Sequence, residues 1–258
     1  MPTFKLTLEY DGRGFAGWQA QGQGERTIQG ELMAALAEIA AGPVRFMGAG
    51  RTDAGVHAEG QVASAAFETV LDAETLRRAL NAKLPPDVAV LAAELRGASF
   101  DARRDALAKR YRYQLWNGEL PSPLRAPRFW HVREPLDLAR LRAGAERLVG
   151  THDFASFRGT GSAVKTSVRT LHRVELAGRS GAEIHLGVEG DGFLRHMVRN
   201  LVGSLVEIGL GRRSPEWITE LLAARDRRAA GRTAPACGLV LEWVRYPDEP
   251  ETPAKSAP

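Results

Sequence analysis

The amino-acid sequence predicts an α+β fold of two related lobes, built on largely antiparallel sheet with a cleft between them. Three observations predict it. An alternating apolar–polar run opens each half of the chain: Phe4, Leu6, Leu8 and Tyr10 near the start, then Tyr111, Tyr113 and Leu115 after Lys109. A period of two is the pattern of a half-buried strand. Helical stretches with an apolar face and recognisable caps follow in both halves. The stretch 171–188 reads as a hairpin, the connection that antiparallel strands use.

The elements follow in order. The first strand gives way to a glycine-rich loop, Asp11 to Gly24. Thr27 then caps a helix whose Ile28, Leu32, Leu36 and Ile39 share one face, and Gly42 and Pro43 stop it. Val44 to Met47 predicts a short strand running into Gly48 and Gly50. A second helix starts at Asp72, with Leu71 and Leu76 spaced as a hydrophobic staple, and ends before Pro85 and Pro86. Val88 to Leu95 predicts the next strand. In the second half, Asp137 caps a helix carrying Leu138, Leu141, Ala145, Leu148 and Val149, with Leu136 and Leu141 as its staple. Leu171 to Ala177 and Ile184 to Val188 form the hairpin around Gly178 to Gly181. Leu194, Met197, Val198, Leu201, Val202, Leu205 and Ile208 make a helical stripe, Ser214 and Pro215 begin another helix, and Leu239 to Tyr246 is a closing strand. The predicted organisation is a first lobe over residues 1–105, a second over 106–246, and a disordered tail over 247–258 that is rich in Pro and Glu.

Composition narrows the class of function. The chain has 258 residues, enough to bury a substantial core, and one cysteine, Cys237, so no disulfide can form within it. No stretch approaches the ~18–20 apolar residues of a membrane span. The N-terminal run alternates where a secretory segment would be continuously apolar. A cytoplasmic protein with no membrane partner is the expectation. The net charge of +4 is a mild excess. It gathers in clusters: Arg103, Arg104, Lys109, Arg110 and Arg112; Arg195 and Arg199; Arg225, Arg227, Arg228 and Arg232. Clustered cations suit a polyanionic partner, although arginines on solvated helix faces look the same in sequence. His57, His131, His152, His172, His185 and His196 are scattered without metal-ligand spacing, and no Walker-type or dinucleotide glycine fingerprint is present. Neither a metal nor a small-molecule cofactor is expected.

Chemistry concentrates in residues 48–57, Gly-Ala-Gly-Arg-Thr-Asp-Ala-Gly-Val-His. Two glycines let the chain turn sharply as it leaves a strand. Asp53 then precedes Ala54 and Gly55, a sequence suited to a tight turn that presents a carboxylate outward. A carboxylate on a rigid loop at a strand end is well placed for nucleophilic or acid–base work, while an isolated Asp-x-Gly more often hydrogen-bonds its own turn.

The whole run Gly50-Arg51-Thr52-Asp53-Ala54-Gly55-Val56-His57 resembles the signature of the tRNA pseudouridine synthase A family. Further matches run in that family's order: Leu8 to Gly12 with Gly17-Trp18-Gln19; Phe100 to Arg103 and Lys109 to Tyr113; Asp153 to Arg158; His196 to Asn200 with Val202-Gly203-Ser204; and Thr233-Ala234-Pro235 with Gly238-Leu239. Asp101 and Arg104 depart from the pattern, where His and Phe are usual. The resemblance implies a pseudouridine synthase fold, its lobes meeting at a central catalytic cleft. It implies conversion of uridine to pseudouridine in the anticodon stem-loop, at tRNA positions 38–40, by a homodimer with tRNA spanning both subunits.

By the same resemblance Asp53 is the nucleophile, Arg199 its partner arginine and Tyr111 the active-site tyrosine. Arg51, Arg103, Lys109, Arg110, Arg112 and Arg195 are expected to contact the RNA. The reaction must break the N1–C1′ bond, turn the uracil and join C5 to C1′. Three uses of the carboxylate remain open: attack at C1′, attack at C6, or removal of the C2′ proton. An adjacent guanidinium favours the ionised form of a carboxylate. An aromatic ring can stack on an extracted base, and its hydroxyl can help remove the C5 proton. From strand pattern alone Tyr111, like Tyr113 on the same face, reads first as core.

Overall fold

The computed structural model describes residues 1–20, 24–161, 164–247 and 249. Apart from Pro247 and Glu249, the tail predicted over 247–258 lies outside the described residues, as do residues 21–23 of the glycine-rich loop. The chain forms two compact units, one of Met1–Leu107 together with the chain from Val240, the other of Ala108–Leu239.

The first unit contains β1 (Thr3–Tyr10), α1 (Ile28–Ala37), β2 (Arg45–Gly48), β3 (His57–Ala66), α2 (Ala73–Asn81) and β4 (Val88–Arg96). The second contains β5 (Ala108–Trp116), β6 (Trp130–His131), α3 (Leu138–Glu146), β7 (Gly150–Asp153), β8 (Val168–Gly178), β9 (Glu183–Gly190), α4 (Met197–Gly209) and α5 (Trp217–Ala224). The closing strand β10 (Leu239–Arg245) returns to the first unit, where Val240 and Leu241 pair parallel with His57 and Ala58 of β3.

Both units are α+β and largely antiparallel, as the sequence predicts. In the first, β1 lies between β4 and β3, antiparallel to each. In the second the order is β5, β9, β8, β7, all antiparallel, with the short β6 parallel to β5. The predicted caps form. Thr27 accepts from the Gly30 N–H, Asp72 from Thr75, and Asp137 from Ala139 and Arg140, each satisfying a first-turn donor that the helix leaves unpaired. Behind the first sheet, Leu6 and Leu8 of β1 are fully buried, as are Leu32, Leu36, Leu76 and Leu80 of the two helices. In the second unit α3 packs on α4, burying Leu141, Leu201, Leu205 and Ile208.

Several boundaries differ from the sequence reading. α1 ends at Ala37, so Ile39 lies in the turn beyond it, and α3 ends at Glu146, leaving Leu148 and Val149 in the approach to β7. α4 begins at Met197 rather than Leu194, and Ser214 and Pro215 form a turn before α5. The largest omission is β3, which the sequence reading leaves unassigned. Its residues, His-Ala-Glu-Gly-Gln-Val-Ala-Ser-Ala-Ala, are poor strand formers and carry no alternation. Nearly every one is buried, because β1 covers one edge while β10 and β2 share the other. With both hydrogen-bonding edges paired and nearly every side chain buried, the segment has no polar face to give an alternating pattern.

At the start of β3 the register slips. Leu8 opposes Gln61 but Tyr10 opposes Ala58, so two steps along β1 match three along β3. Such bulges recur beside functional sites because they re-aim the strand. Gly60 sits in this bulge, and a Cβ there would lie 2.3 Å from the Glu242 carbonyl oxygen of β10. Gly60→Ala is expected to lower stability by about 1–3 kcal/mol through forced backbone displacement. A urea titration followed by circular dichroism measures it, and an unchanged midpoint would contradict the close approach.

Candidate active site

Asp53 stands on the turn that leads into β3. The Val56 N–H donates to the Asp53 carbonyl at 3.1 Å, closing a four-residue turn. Gly55, its third residue, has φ +78°, the left-handed value of a type II turn, which glycine adopts without steric cost. Asp53 itself is half-buried and Arg51 exposed. The loop before the turn is pinned to the strands around it. Ala49 donates to the Val62 carbonyl at 2.8 Å, Trp18 N–H to the Thr52 carbonyl at 3.0 Å, and Gln61 Nε2 to the Gly50 carbonyl at 2.9 Å. Thr52 Oγ1 lies 2.8 Å from the buried Tyr10 hydroxyl. His57, the first residue of β3, is buried. Its Nδ1 accepts from the Gly12 N–H at 3.2 Å, and the Asp11 carboxylate lies 3.3 Å from the same nitrogen. Asp11 is held down at about 2, chiefly by its hydrogen bond from Arg13. His57 thus braces the glycine-rich loop against β3.

Arg199 belongs to the second unit, in the first turn of α4. A cation there opposes the helix dipole, a cost of about 0.3–1 kcal/mol, so tertiary bonds must hold it. They do so from both ends: its Nε donates to the Ala234 carbonyl at 2.8 Å, and Ala234 N–H donates to the Arg199 carbonyl at 3.1 Å. The Nε bond sets the direction of the guanidinium's Nε–H edge. The neighbouring Asn200 is fully buried. It donates to the Phe157 carbonyl at 2.8 Å and accepts from Thr233 Oγ1 at 2.7 Å and Arg227 Nη2 at 3.0 Å, tying segment 227–234 to α4. Burial lowers the Arg227 guanidinium from its ordinary range. His196, just before α4, adopts φ +59°, a left-handed conformation that a non-glycine residue holds only under local constraint.

Tyr111 lies in β5 opposite Val188 of β9, and its ring meets Phe193 edge-on at 5.1 Å and 84°. It is 7% exposed. Tyr113, two residues on, is core: its hydroxyl donates to the Pro235 carbonyl at 2.7 Å, and its ring meets Trp130 edge-on.

The six basic residues fall into different settings. Arg51, Arg103 and Arg195 are exposed, and Arg195 Nη1 donates to the Thr160 carbonyl at 3.0 Å. Lys109 and Arg112 are half-buried, with Arg112 donating to Gln114 Oε1 at 3.0 Å. Arg110 is buried and donates to Glu175 at 2.8 Å. The arginine cluster near the end of the second unit is largely engaged within the protein. Arg225 pairs with Asp153 at 3.1 Å, Arg228 with Asp226 at 2.8 Å, and Arg232 lies 4.6 Å over the Trp130 ring. Asp101, one of the two unusual residues, caps its own turn by accepting from the Arg103 and Arg104 N–H groups, each at 2.8 Å. Arg104 is spent on Asp105 and the Ser99 carbonyl. Among the described residues no group of three His, Cys, Asp or Glu side chains could hold a metal ion. No helix among them is long and apolar enough to cross a membrane.

Sequence reasoning gives Tyr10 and Thr52 no role beyond their motifs and passes over Gln61 altogether. No periodicity marks these positions, because their partners come from other strands.

Comparison with known proteins places the chain. A family model described as tRNA pseudouridine synthase matches residues 7–104 and 145–247, taking in the Asp53 turn, α4 and segment 227–234. A tRNA pseudouridine synthase A of Myxococcus xanthus is 47% identical over 250 residues, covering 97% of this chain and 94% of that one. The protein of the same name from Pseudomonas aeruginosa is 46% identical over 253 residues, 97% of this chain and 87% of that one. The Geobacter sulfurreducens protein is 44% identical over 246 residues and is covered over its full length. Identity at this level along nearly the whole chain, through both units, means that the chain belongs to the tRNA pseudouridine synthase family.

Proposed function

We propose that this protein isomerises uridine to pseudouridine in the anticodon stem-loop of tRNA, at positions 38–40, with Asp53 as the nucleophile. The observation that carries the reading is the Asp53 turn itself. A half-buried carboxylate stands on a turn pinned by Trp18, Gln61 and Tyr10, within a segment that the family model matches. Such a carboxylate is pre-set in direction, which is what attack on a sugar–base unit requires. Arg199, its Nε–H engaged by the Ala234 carbonyl, serves as counter-ion to that carboxylate. Tyr111 stacks on the uracil and assists loss of the C5 proton. The target uridine sits inside a folded stem-loop and is flipped out of its stack to react.

The exposed Arg51, Arg103 and Arg195 are the side chains best disposed to meet phosphates. Lys109 and Arg112 are less open, and Arg110, buried on Glu175, has little surface to offer. The protein works in the cytoplasm as a homodimer, without cofactor. Tritium release from tRNA labelled at uridine C5 tests the reaction, and carbodiimide labelling maps the product. Release at background rate from every tRNA tried would end the reading.

Arg199→Lys is expected to slow the chemical step about a hundredfold, the loss typical of removing one preorganised charge-stabilising donor. Lysine cannot present two parallel donors to a carboxylate, nor reproduce the Nε bond to Ala234. Single-turnover rates at saturating tRNA measure it. Weakened tRNA binding with an unchanged rate would make Arg199 a phosphate contact instead.

A further inference from the structure

Immediately before Asp53 the chain enters a buried polar chain that the reaction does not consume. Thr52 is 6% exposed, Tyr10 3% and Gln61 0%. Gln61 Nε2 donates to the Gly50 carbonyl at 2.9 Å and approaches the Tyr10 hydroxyl at 3.5 Å. An amide N–H only donates, so the Tyr10 oxygen accepts from Gln61, and the Tyr10 and Thr52 hydroxyls share a bond of 2.8 Å in which either is able to donate. Trp18 N–H closes the set on the Thr52 carbonyl. The loop is therefore gripped at Gly50 and at Thr52, on both sides of Arg51 and directly ahead of Asp53.

The bulge in β3 supplies the alignment. It falls between the Leu8–Gln61 and Tyr10–Ala58 pairs, at the point where Tyr10 and Gln61 converge. Three polar side chains buried at a strand end cost free energy unless each is paired, and simple packing would be served as well by apolar residues. Burial pushes the Tyr10 phenol up to about 12, so it stays protonated and acts only as a hydrogen-bond relay.

We propose that Tyr10, Thr52 and Gln61 are positioning residues that set the direction of the Asp53 carboxylate, acting through the Thr52 side chain and the Gly50 carbonyl without touching the substrate. This rests on Asp53 being the nucleophile. Displacing a reacting group by about 1 Å costs about 10²-fold in rate. Thr52→Val, which keeps the shape and loses the hydroxyl, is therefore expected to slow single-turnover tritium release at saturating tRNA by about 30–100-fold, and Tyr10→Phe by about tenfold. The dissociation constant for tRNA stays within about twofold, because phosphate contacts set it. Thr52→Ser restores the rate to within about threefold, since it restores the bond. The double variant Tyr10→Phe/Thr52→Val is no slower than Thr52→Val alone, because both remove one interaction.

A purely structural role would lower the unfolding midpoint yet leave the folded, saturated protein at wild-type rate, and that result overturns the proposal. So do losses that multiply in the double variant, or a Thr52→Ser as slow as Thr52→Val. Should Thr52→Val fail to fold, Gln61→Met combined with Tyr10→Phe applies the same test from the Gly50 side. Asp53→Asn, run in parallel, separates the two readings. If it retains activity, the nucleophile assignment fails and the positioning proposal with it. If it is silent while Tyr10→Phe and Thr52→Val run at wild-type rate, positioning alone fails.

Discussion

Asp53→Asn is expected to lower pseudouridine formation by about 10⁴-fold or more, the scale seen when a nucleophile is removed from a catalytic unit, while tRNA binding persists. The amide matches the carboxylate in size but carries no charge and neither attacks carbon nor accepts a proton at working pH. All three uses open to the carboxylate, attack at C1′, attack at C6 and removal of the C2′ proton, end with this change. The fold should survive it. The turn is closed by the Val56 N–H on a backbone carbonyl and depends on the positive φ of Gly55, both of which asparagine leaves in place. Asparagine is itself favoured in turns. Binding should survive because phosphate contacts supply most of the affinity for a folded RNA. Single-turnover tritium release and filter binding on one preparation measure both quantities. A residual rate within about tenfold of wild type would remove Asp53 from the role, since a lost nucleophile costs far more than that.

Tyr111 is expected to separate its two roles atom by atom. Tyr111→Phe keeps the ring, and with it the edge-on contact to Phe193 and the packing between β5 and β9, but loses the hydroxyl. Tyr111→Leu loses the stacking plane too. If the ring only holds the flipped uracil, Phe retains most activity and Leu forfeits about 1–3 kcal/mol of stacking. If the hydroxyl takes part in proton removal at C5, Phe alone costs about 10²–10⁴ in rate. The second outcome is the expected one, because C5 must surrender a proton and, with Asp53 as the proposed nucleophile, a second group is needed to take it. Tyr113→Phe is the control on the same strand. Its hydroxyl serves the Pro235 carbonyl, so its loss should cost about 0.5–1.5 kcal/mol of stability and leave the rate alone. Near-complete activity in both Tyr111 variants would return Tyr111 to the core beside Tyr113.

Much of this protein is legible without coordinates. Local rules suffice where the cause is local. Thr27, Asp72 and Asp137 cap their helices as their sequence positions predict, because a cap bonds an N–H only two or three residues away. The alternation of Phe4 to Tyr10 and of Tyr111 to Leu115 marks strands, and the apolar positions of each are buried, although Lys5 and Gln114 between them are buried too. The Asp53 signature, being contiguous, is read whole, and the family follows from it.

What only the tertiary structure decides are the features whose partners are far away in sequence. β3 is a strand because β1, β2 and β10 enclose an Ala- and Gly-rich segment with no pattern of its own. Arg110 and Arg51 look alike as basic residues near a motif, yet one is buried on Glu175 and the other faces solvent, since Glu175 is brought to Arg110 by β8 and β9. Arg199 owes its orientation to Ala234, 35 residues on. The loop ahead of Asp53 is held by Tyr10 and Gln61, 42 and nine residues from Thr52, joined by a bulge between two strands. A local pattern records which face of an element is buried. It carries no record of which distant group will fill the space behind the Asp53 turn, because that is settled when the strands pair.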